Sequence, residues 1–285
     1  MNFIQFLIQS KKPHILLIKK GDINLSKIKI FSLGGLNENG KNMYVVNVDK
    51  DIFVFDAGLK YDNDLNLGID YIIPNIDYLI KNRNNIGNLE VSLKRYINEL
   101  KFIHSLINKF DDFTDFDSKV SKEIDGYIEL GKKSLEGLKK TAYLDLCNEE
   151  NKITICHHDL AYHNILINEE KAYFVDFDYA IVDLRVHDLC NFINKVEKNF
   201  DFNIDKAKLI LEEYSKESDL DNRELEVLYY LLMFPYDFYS VCRDYYTRRK
   251  NWNEQLFNSK LDRKLSLKEE KNQFLEEFKN MYNIK

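Results

Sequence analysis

Between Ile153 and Asp188 the chain alternates short apolar runs with histidines and carboxylates, and no other stretch limits the fold as much. Ile153–Cys156 (ITIC), Ile165–Ile167 (ILI) and Ala172–Val175 (AYFV) are short, apolar and partly β-branched, so they read as buried strands. Between them, where the chain must turn, stand His157, Asp159, Asn164, Asp176 and Asp178. A carboxylate at the end of a buried strand is costly unless something pairs with it. Several converging carboxylates call for a cation, and oxygen-rich sets of this kind suit magnesium. The plain alternative is a buried polar turn without chemistry.

The spacing His157-x-Asp159-x4-Asn164, followed after a hairpin by Asp176-Phe177-Asp178, resembles the catalytic and metal loops of the kinase-like fold. No Arg precedes Asp159, and Asp-Phe-Asp replaces Asp-Phe-Gly. Both features are similar to the aminoglycoside and choline phosphotransferase branch. The resemblance implies Asp159 as the base that accepts a substrate hydroxyl proton, and Asn164 and Asp176 as magnesium ligands on the phosphates of ATP. It also implies that His157 buttresses the loop beside Asp159, that Asp178 supports it, and that Asp188 opens a helix and braces it. From about Leu89 to the C-terminus the segments CHHDLAYHNILI, VHDLCNFINKV and YYTRRKNW resemble the CotS family of spore coat proteins, which carry this fold. That likeness implies spore coat proteins as partners, and a cytoplasmic protein deposited on the coat.

Composition sets the outer limits. The chain has 285 residues, 45% of them hydrophobic and 31% charged, enough to bury a core in one large or two small domains. A net charge of −6 argues against nucleic acid as the main partner. Cys147, Cys156, Cys190 and Cys242 are widely spaced with no CxxC pair, so they read as reduced and buried, and no zinc is expected. The apolar start Met1–Ile8 is too short for a membrane span and lacks the marks of a signal peptide, so no membrane role is expected.

Residues 1–27 carry no nameable chemistry, although His14–Lys19 reads as a strand. Residues 28–87 read as three strands, Ile28–Leu33, Met43–Val48 and Ile52–Phe55, joined by glycine, asparagine and aspartate turns into an antiparallel meander, then a helix near Ile69–Ile80. Here LGGLNENGKNMYVV, IFVFDAGLKY and GIDYIIPNIDYLIKNRNNI resemble the opening of ribonuclease J, a metallo-β-lactamase-type nuclease. The resemblance ends near Ile86, and its His-x-His-x-Asp-His metal motif occurs nowhere in the chain. A complete phosphotransferase places a glycine-rich loop and a strand lysine before the catalytic lobe. Gly34–Gly40 is a weak stand-in for the loop, and the next strand runs into Asp56 where a phosphate-pairing lysine is wanted.

After Gly87 the pattern is helical. Leu89, Leu93, Tyr96/Ile97, Leu100, Ile103/His104 and Ile107 form one apolar face, and a second helix over about 118–140 turns Ile124, Tyr127, Ile128 and Leu135 inward. Further helices are expected near 188–199, 204–217, 222–249 and 266–281, with a break or kink at Pro235. Arg243, Arg248, Arg249 and Lys250 beside Tyr245, Tyr246 and Trp252 read either as a phosphate or partner grip or as a solvated helix end.

The fold expected is α+β: a mainly helical kinase-like lobe over 88–285 with short catalytic-loop strands, preceded by a small antiparallel β segment over 28–87. The function expected is a spore coat-associated kinase-fold protein, degenerate as an enzyme because no nucleotide-binding lobe is recognisable. If active, it transfers phosphate from ATP, with magnesium, to a small-molecule hydroxyl. The alternative is a ribonuclease J-related RNA-processing or RNA-binding protein without its metal motif.

Overall fold

The apolar stripe that begins at Leu89 sets up the larger part of the molecule. In a computed structural model describing residues 14–16, 28–34, 43–48, 51–55, 83–168 and 171–284, helix α1 runs Leu89–Ile107. It buries Leu89, Leu93, Ile97, Leu100, Ile103 and Ile107, the residues three or four apart that share one helix face. Helix α2, Asp115–Leu138, starts three residues before the expected position. Thr114 accepts from the Asp117 amide while the Asp117 side chain accepts from the Thr114 amide, a reciprocal cap that fixes the start.

Beyond these come α3 (Tyr143–Leu146), α4 (Arg185–Glu197), α5 (Ile204–Glu217), α6 (Asn222–Met233), α7 (Tyr236–Tyr246), α8 (Glu254–Ser266) and α9 (Lys268–Met281). Pro235 divides α6 from α7, because proline has no N–H to continue the helical ladder. Helices α1, α2, α4, α6 and α7 pack on one another around a core that includes Phe116, Phe234, Phe238, Phe274 and Phe278. The α2–α6 approach depends on Gly137: a Cβ there would lie 1.9 Å from the Tyr230 ring. One turn earlier Ser134 donates to the Tyr230 carbonyl at 2.6 Å. The aromatic cluster Tyr229–Tyr239 is part of this core.

Four strands precede the helices: β1 (His14–Leu16), β2 (Ile28–Gly34), β3 (Met43–Val48) and β4 (Asp51–Phe55). They form an antiparallel sheet in chain order, with Tyr44 opposite Phe55 and a register shift between Ser32 and Gly34. The expected helix near Ile69–Ile80 lies outside the described residues. Two further two-stranded sheets pair β5 (Ile153–Cys156) with β8 (Ile181–Leu184), and β6 (Ile165–Asn168) with β7 (Lys171–Phe174).

The chain divides into two compact units. One comprises residues 1–84 with 162–181, the other residues 85–161 with 182–285. Residues 162–181 therefore belong to the unit that holds the N-terminal sheet. The architecture is α+β, with most of the described chain helical. Among the described residues, no helix is long and apolar enough to cross a membrane.

Candidate functional site

Within the larger unit, β5 leads into the loop His157–Ala161, and α4 supplies that loop's supports. Asp188, in the first turn of α4, accepts from the His157 amide at 2.5 Å and the His158 amide at 2.7 Å. One carboxylate thus satisfies two successive backbone donors that a buried turn would otherwise strand. Burial pushes the Asp188 carboxyl above its ordinary range, against the pull of those two amides. His158 adopts a left-handed backbone, φ 66°, a conformation uncommon outside glycine that the paired amides hold in place. The His157 side chain is buried, and its Nδ1 accepts the Asp159 amide at 3.3 Å, so the imidazole holds the backbone of the residue expected as the base.

A second chain of contacts runs behind the loop. His158 Nε2 lies 3.2 Å from His187 Nε2, and His187 Nδ1 lies 2.7 Å from the fully buried Asp183 carboxylate. Asp183 also accepts from the Asn85 side chain at 2.7 Å and the Leu184 amide at 2.8 Å. The expected strands did not include β8, which delivers Asp183. Burial, with His187 beside it, pulls the His158 imidazole down to about 4.

Asp159 itself is ion-paired with Lys195 of α4. The motif-based reading did not reach Lys195, although the signal was present. Asp188, Asn191, Lys195 and Lys198 recur at three- and four-residue steps and so occupy one face of α4. The same helix holds the loop's amides at one end and the Asp159 carboxylate further along.

In the smaller unit, a 3₁₀ turn over Tyr162–Asn164 buries Asn164 and feeds β6. Strands β6 and β7 pair as a hairpin, Ile165 opposite Phe174, and the Val175 amide donates to the Asn164 carbonyl at 3.0 Å. Asn164 and Asp176 are therefore carried on the same end of one hairpin. Asp176 takes a left-handed backbone, φ 64° and ψ 66°, as the chain turns into a 3₁₀ segment over Phe177–Tyr179 that includes Asp178. A carboxamide and a carboxylate oxygen together make the hard, incomplete donor set that magnesium accepts, since this ion keeps waters or substrate phosphates as its other ligands. Among the described residues, no group of three or more His, Cys, Asp or Glu side chains could hold a metal.

The other candidates have structural surroundings. His104 lies 3.0 Å from Asp125 across α1 and α2. In the basic run, Tyr245 stacks on Phe116 at 3.9 Å, and the Tyr246 hydroxyl donates to Asp117 at 2.6 Å. Arg243 pairs with Asp244 at 2.8 Å, while Arg248, Arg249 and Lys250 are exposed where α7 ends. Cys156, Cys190 and Cys242 are buried free thiols, and Cys147 is half-buried.

Known proteins divide the chain by sequence near residue 81, and the family match runs through residues 162–181. A family described as "Spore coat putative kinase YutH" matches residues 81–278. Among solved structures, an aminoglycoside phosphotransferase from Alicyclobacillus acidocaldarius is similar with a TM-score of 0.62 and 14% identity, over 69% of this chain and 59% of that one. The N-terminal stretch is similar to another group. It is 43% identical over 68 residues to ribonuclease J 2 of Streptococcus pyogenes, covering 24% of this chain and 12% of that protein. With ribonuclease J2 of Bacillus subtilis it shares 52% identity over 58 residues, 20% of this chain and 10% of the other. The chain thus spans about a tenth of the length of those nucleases. The fold of the helical part is that of the phosphotransferases, and with more than two thirds of the chain inside the family match, the protein belongs to the spore coat putative kinase YutH family.

Proposed function

We propose that this spore coat kinase-family protein binds ATP with magnesium and directs the γ-phosphate to a small-molecule hydroxyl. The observation that supports the reading is the hairpin in which the Val175 amide donates to the Asn164 carbonyl, so that Asn164 and Asp176 belong to one end of one element. In this reading those two residues hold the metal, which when bound neutralises phosphate charge. Asp159 accepts the acceptor's proton, and the acceptor oxygen bonds to the γ-phosphorus as the bond to the departing ADP oxygen breaks. His157 and Asp188 act through the loop backbone, as positioning residues for Asp159.

A second reading, a pseudokinase scaffold among coat proteins, has its own support. Among strands β1–β4 the sole lysine is Lys29, and no lysine stands in β3 or β4. Thermal unfolding of the full chain with and without saturating MgATP separates the two, repeated on Asp176→Asn. Ligand at about 100 times its dissociation constant stabilises by roughly 2.7 kcal/mol. A shift present in the wild type and lost in the variant, with ADP release on adding an acceptor, is the expected result. No shift in either protein leaves the scaffold. The ribonuclease J alternative rests on the N-terminal likeness alone.

A further inference from the structure

Beyond Lys195, the α4 face that serves Asp159 continues into a group of lysines that the phosphotransfer reading does not use. Lys198, one turn further on, pairs with Asp237 at 2.7 Å, and Lys264 of α8 reaches the same carboxylate at 3.3 Å. Lys271 of α9 is within electrostatic reach of that carboxylate and lies 5.7 Å from the Phe202 ring. Two ammonium groups therefore pair with one carboxylate and a third lies within its electrostatic reach, so lysines outnumber carboxylates here. The cluster is recessed and still open to solvent: the Lys198, Lys264 and Asp237 side chains are 30%, 23% and 26% exposed. On the same face of α4, the side-chain amide nitrogen of Asn191 is buried without a hydrogen-bond partner among the described residues.

Like charges gathered in a recess oppose folding unless something answers them. Burial pulls the Lys264 and Lys271 ammoniums below their ordinary range, with Asp237 pulling the other way. Burial also pushes the Asp237 carboxyl up, but the lysines outweigh it and hold that group well below the usual carboxylate range. Lysine is a point-charge binder of phosphate oxygens, and a phosphate monoester brings the negative charge that this cluster lacks.

We propose that Lys198, Lys264 and Lys271 form a subsite for a phosphate group on the acceptor, next along α4 from the Lys195–Asp159 pair, so that the substrate is a hydroxyl compound already carrying a phosphate monoester. The acceptor role rests on the phosphotransfer reading, whereas the anion subsite stands apart from it.

Inorganic phosphate is the probe. Unfolding of the full chain is followed in phosphate and in chloride of equal ionic strength, for the wild type, Lys264→Met and Lys208→Met, with a separate MgATP arm. Lys264→Met leaves Asp237 its shorter partner Lys198, and Lys208 is an exposed lysine of α5 beside Glu212. Phosphate is expected to raise the midpoint by about 3 °C in the wild type and in Lys208→Met, and not in Lys264→Met. The MgATP response should be the same in all three. The proposal fails if phosphate acts no differently from chloride on the wild type, or if its effect survives in Lys264→Met. A MgATP response lost with Lys264 reassigns the cluster to the nucleotide and also overturns it. A phosphate response without any MgATP response sinks the phosphotransfer reading and, with it, the acceptor role.

Discussion

Glu224 and Asp237 are both carboxylates gripped by more than one cation, yet their surroundings are balanced differently. Glu224, 1% exposed, accepts from Lys152 at 2.6 Å and from Arg185 at 2.6 and 2.8 Å, and Asp221 completes the group at 3.0 Å from Lys152. Arg223 adds a pair with Asp221 at 2.8 Å and with Glu149 at 2.6 Å, so three cations face three carboxylates. Two further guanidinium N–H groups of Arg185 go to the Ser218 hydroxyl and the Asp219 carbonyl. Burial pushes the Glu224 carboxyl up, but Arg185 and Lys152 outweigh it and the group ends below its ordinary range. Asp237 stands among three lysines with, among the described residues, no second carboxylate in hydrogen-bonding contact with them. A balanced cluster locks elements together, here the turn before β5 with the starts of α4 and α6. A recessed, overcharged one has capacity left for a ligand.

The comparison breaks first at Glu224, where the largest effect is expected. Glu224→Ala leaves a lysine and an arginine buried with Asp221 as the nearest carboxylate, and removes half of a reciprocal helix cap. Removing one partner of a buried pair costs about 3 to 5 kcal/mol, because the uncompensated charge remains inside. Urea unfolding should show that loss. A change below about 1 kcal/mol would mean that the cluster is wetter and looser than its geometry, and the contrast with Asp237 would collapse.

Groups without a counter-charge sharpen the contrast through pH. His158 titrates near 4 in the folded chain against an ordinary 6.5, so the unfolded chain takes up its proton first. Its contribution is complete above pH 6.5 and is lost as pH falls from 6.5 toward 4. Glu197 behaves in the opposite sense. Both its oxygens are buried without a hydrogen-bond partner among the described residues, and burial raises the carboxyl from 4.5 to about 7. The nearby Ala207 and Asn203 amides offset part of that cost without meeting bonding geometry. Its contribution is complete below pH 4.5 and is lost as pH rises toward 7. Each is worth about 2 to 3 kcal/mol at full effect, and between pH 4.5 and 6.5 the two slopes oppose each other. His158→Gln should remove the acid-side loss, and Glu197→Gln should gain stability over the wild type above pH 7. Parallel pH profiles for all three proteins would refute both assignments.

Much of this was legible before any coordinates. The stripe from Leu89 to Ile107 reports its own burial, because three- and four-residue recurrence has one structural meaning over five turns. The loop residues His157, Asp159, Asn164 and Asp176 stood out by spacing. Asp188 was named as their brace by resemblance, not by its partners, since the backbone amides it holds carry no residue signature. Other supports were hidden for definite reasons. Asp183 lies in Ile181–Leu184, four residues short enough to pass for a loop between two motifs, and becomes strand β8 only by pairing with β5. Helix α8 was missed because few of its residues are buried, chiefly Phe257 and Leu261, although Asn253 caps it through the Leu256 amide at 2.8 Å. The lysines around Asp237 come from α4, α8 and α9, so only tertiary packing assembles them.

The smallest effect is the most discriminating. Lys152→Met and Lys264→Met each delete one ammonium from a cluster of charges, with similar loss of volume. At Glu224 the deletion unbalances a buried group, since Arg185 alone then answers Glu224 and Asp221 loses its buried partner and keeps only the exposed Arg223. At Asp237 it relieves repulsion among lysines while Lys198 still answers the carboxylate at 2.7 Å, so the cost of the lost pair and the gain from reduced crowding nearly cancel. Lys264→Met should therefore lie within about 0.5 kcal/mol of the wild type, the range of partly exposed ion pairs. Lys152→Met should lose at least about 1 kcal/mol more. Equal losses at the two sites would show that Lys264 is a structural partner of Asp237 and that no charge is held in reserve there.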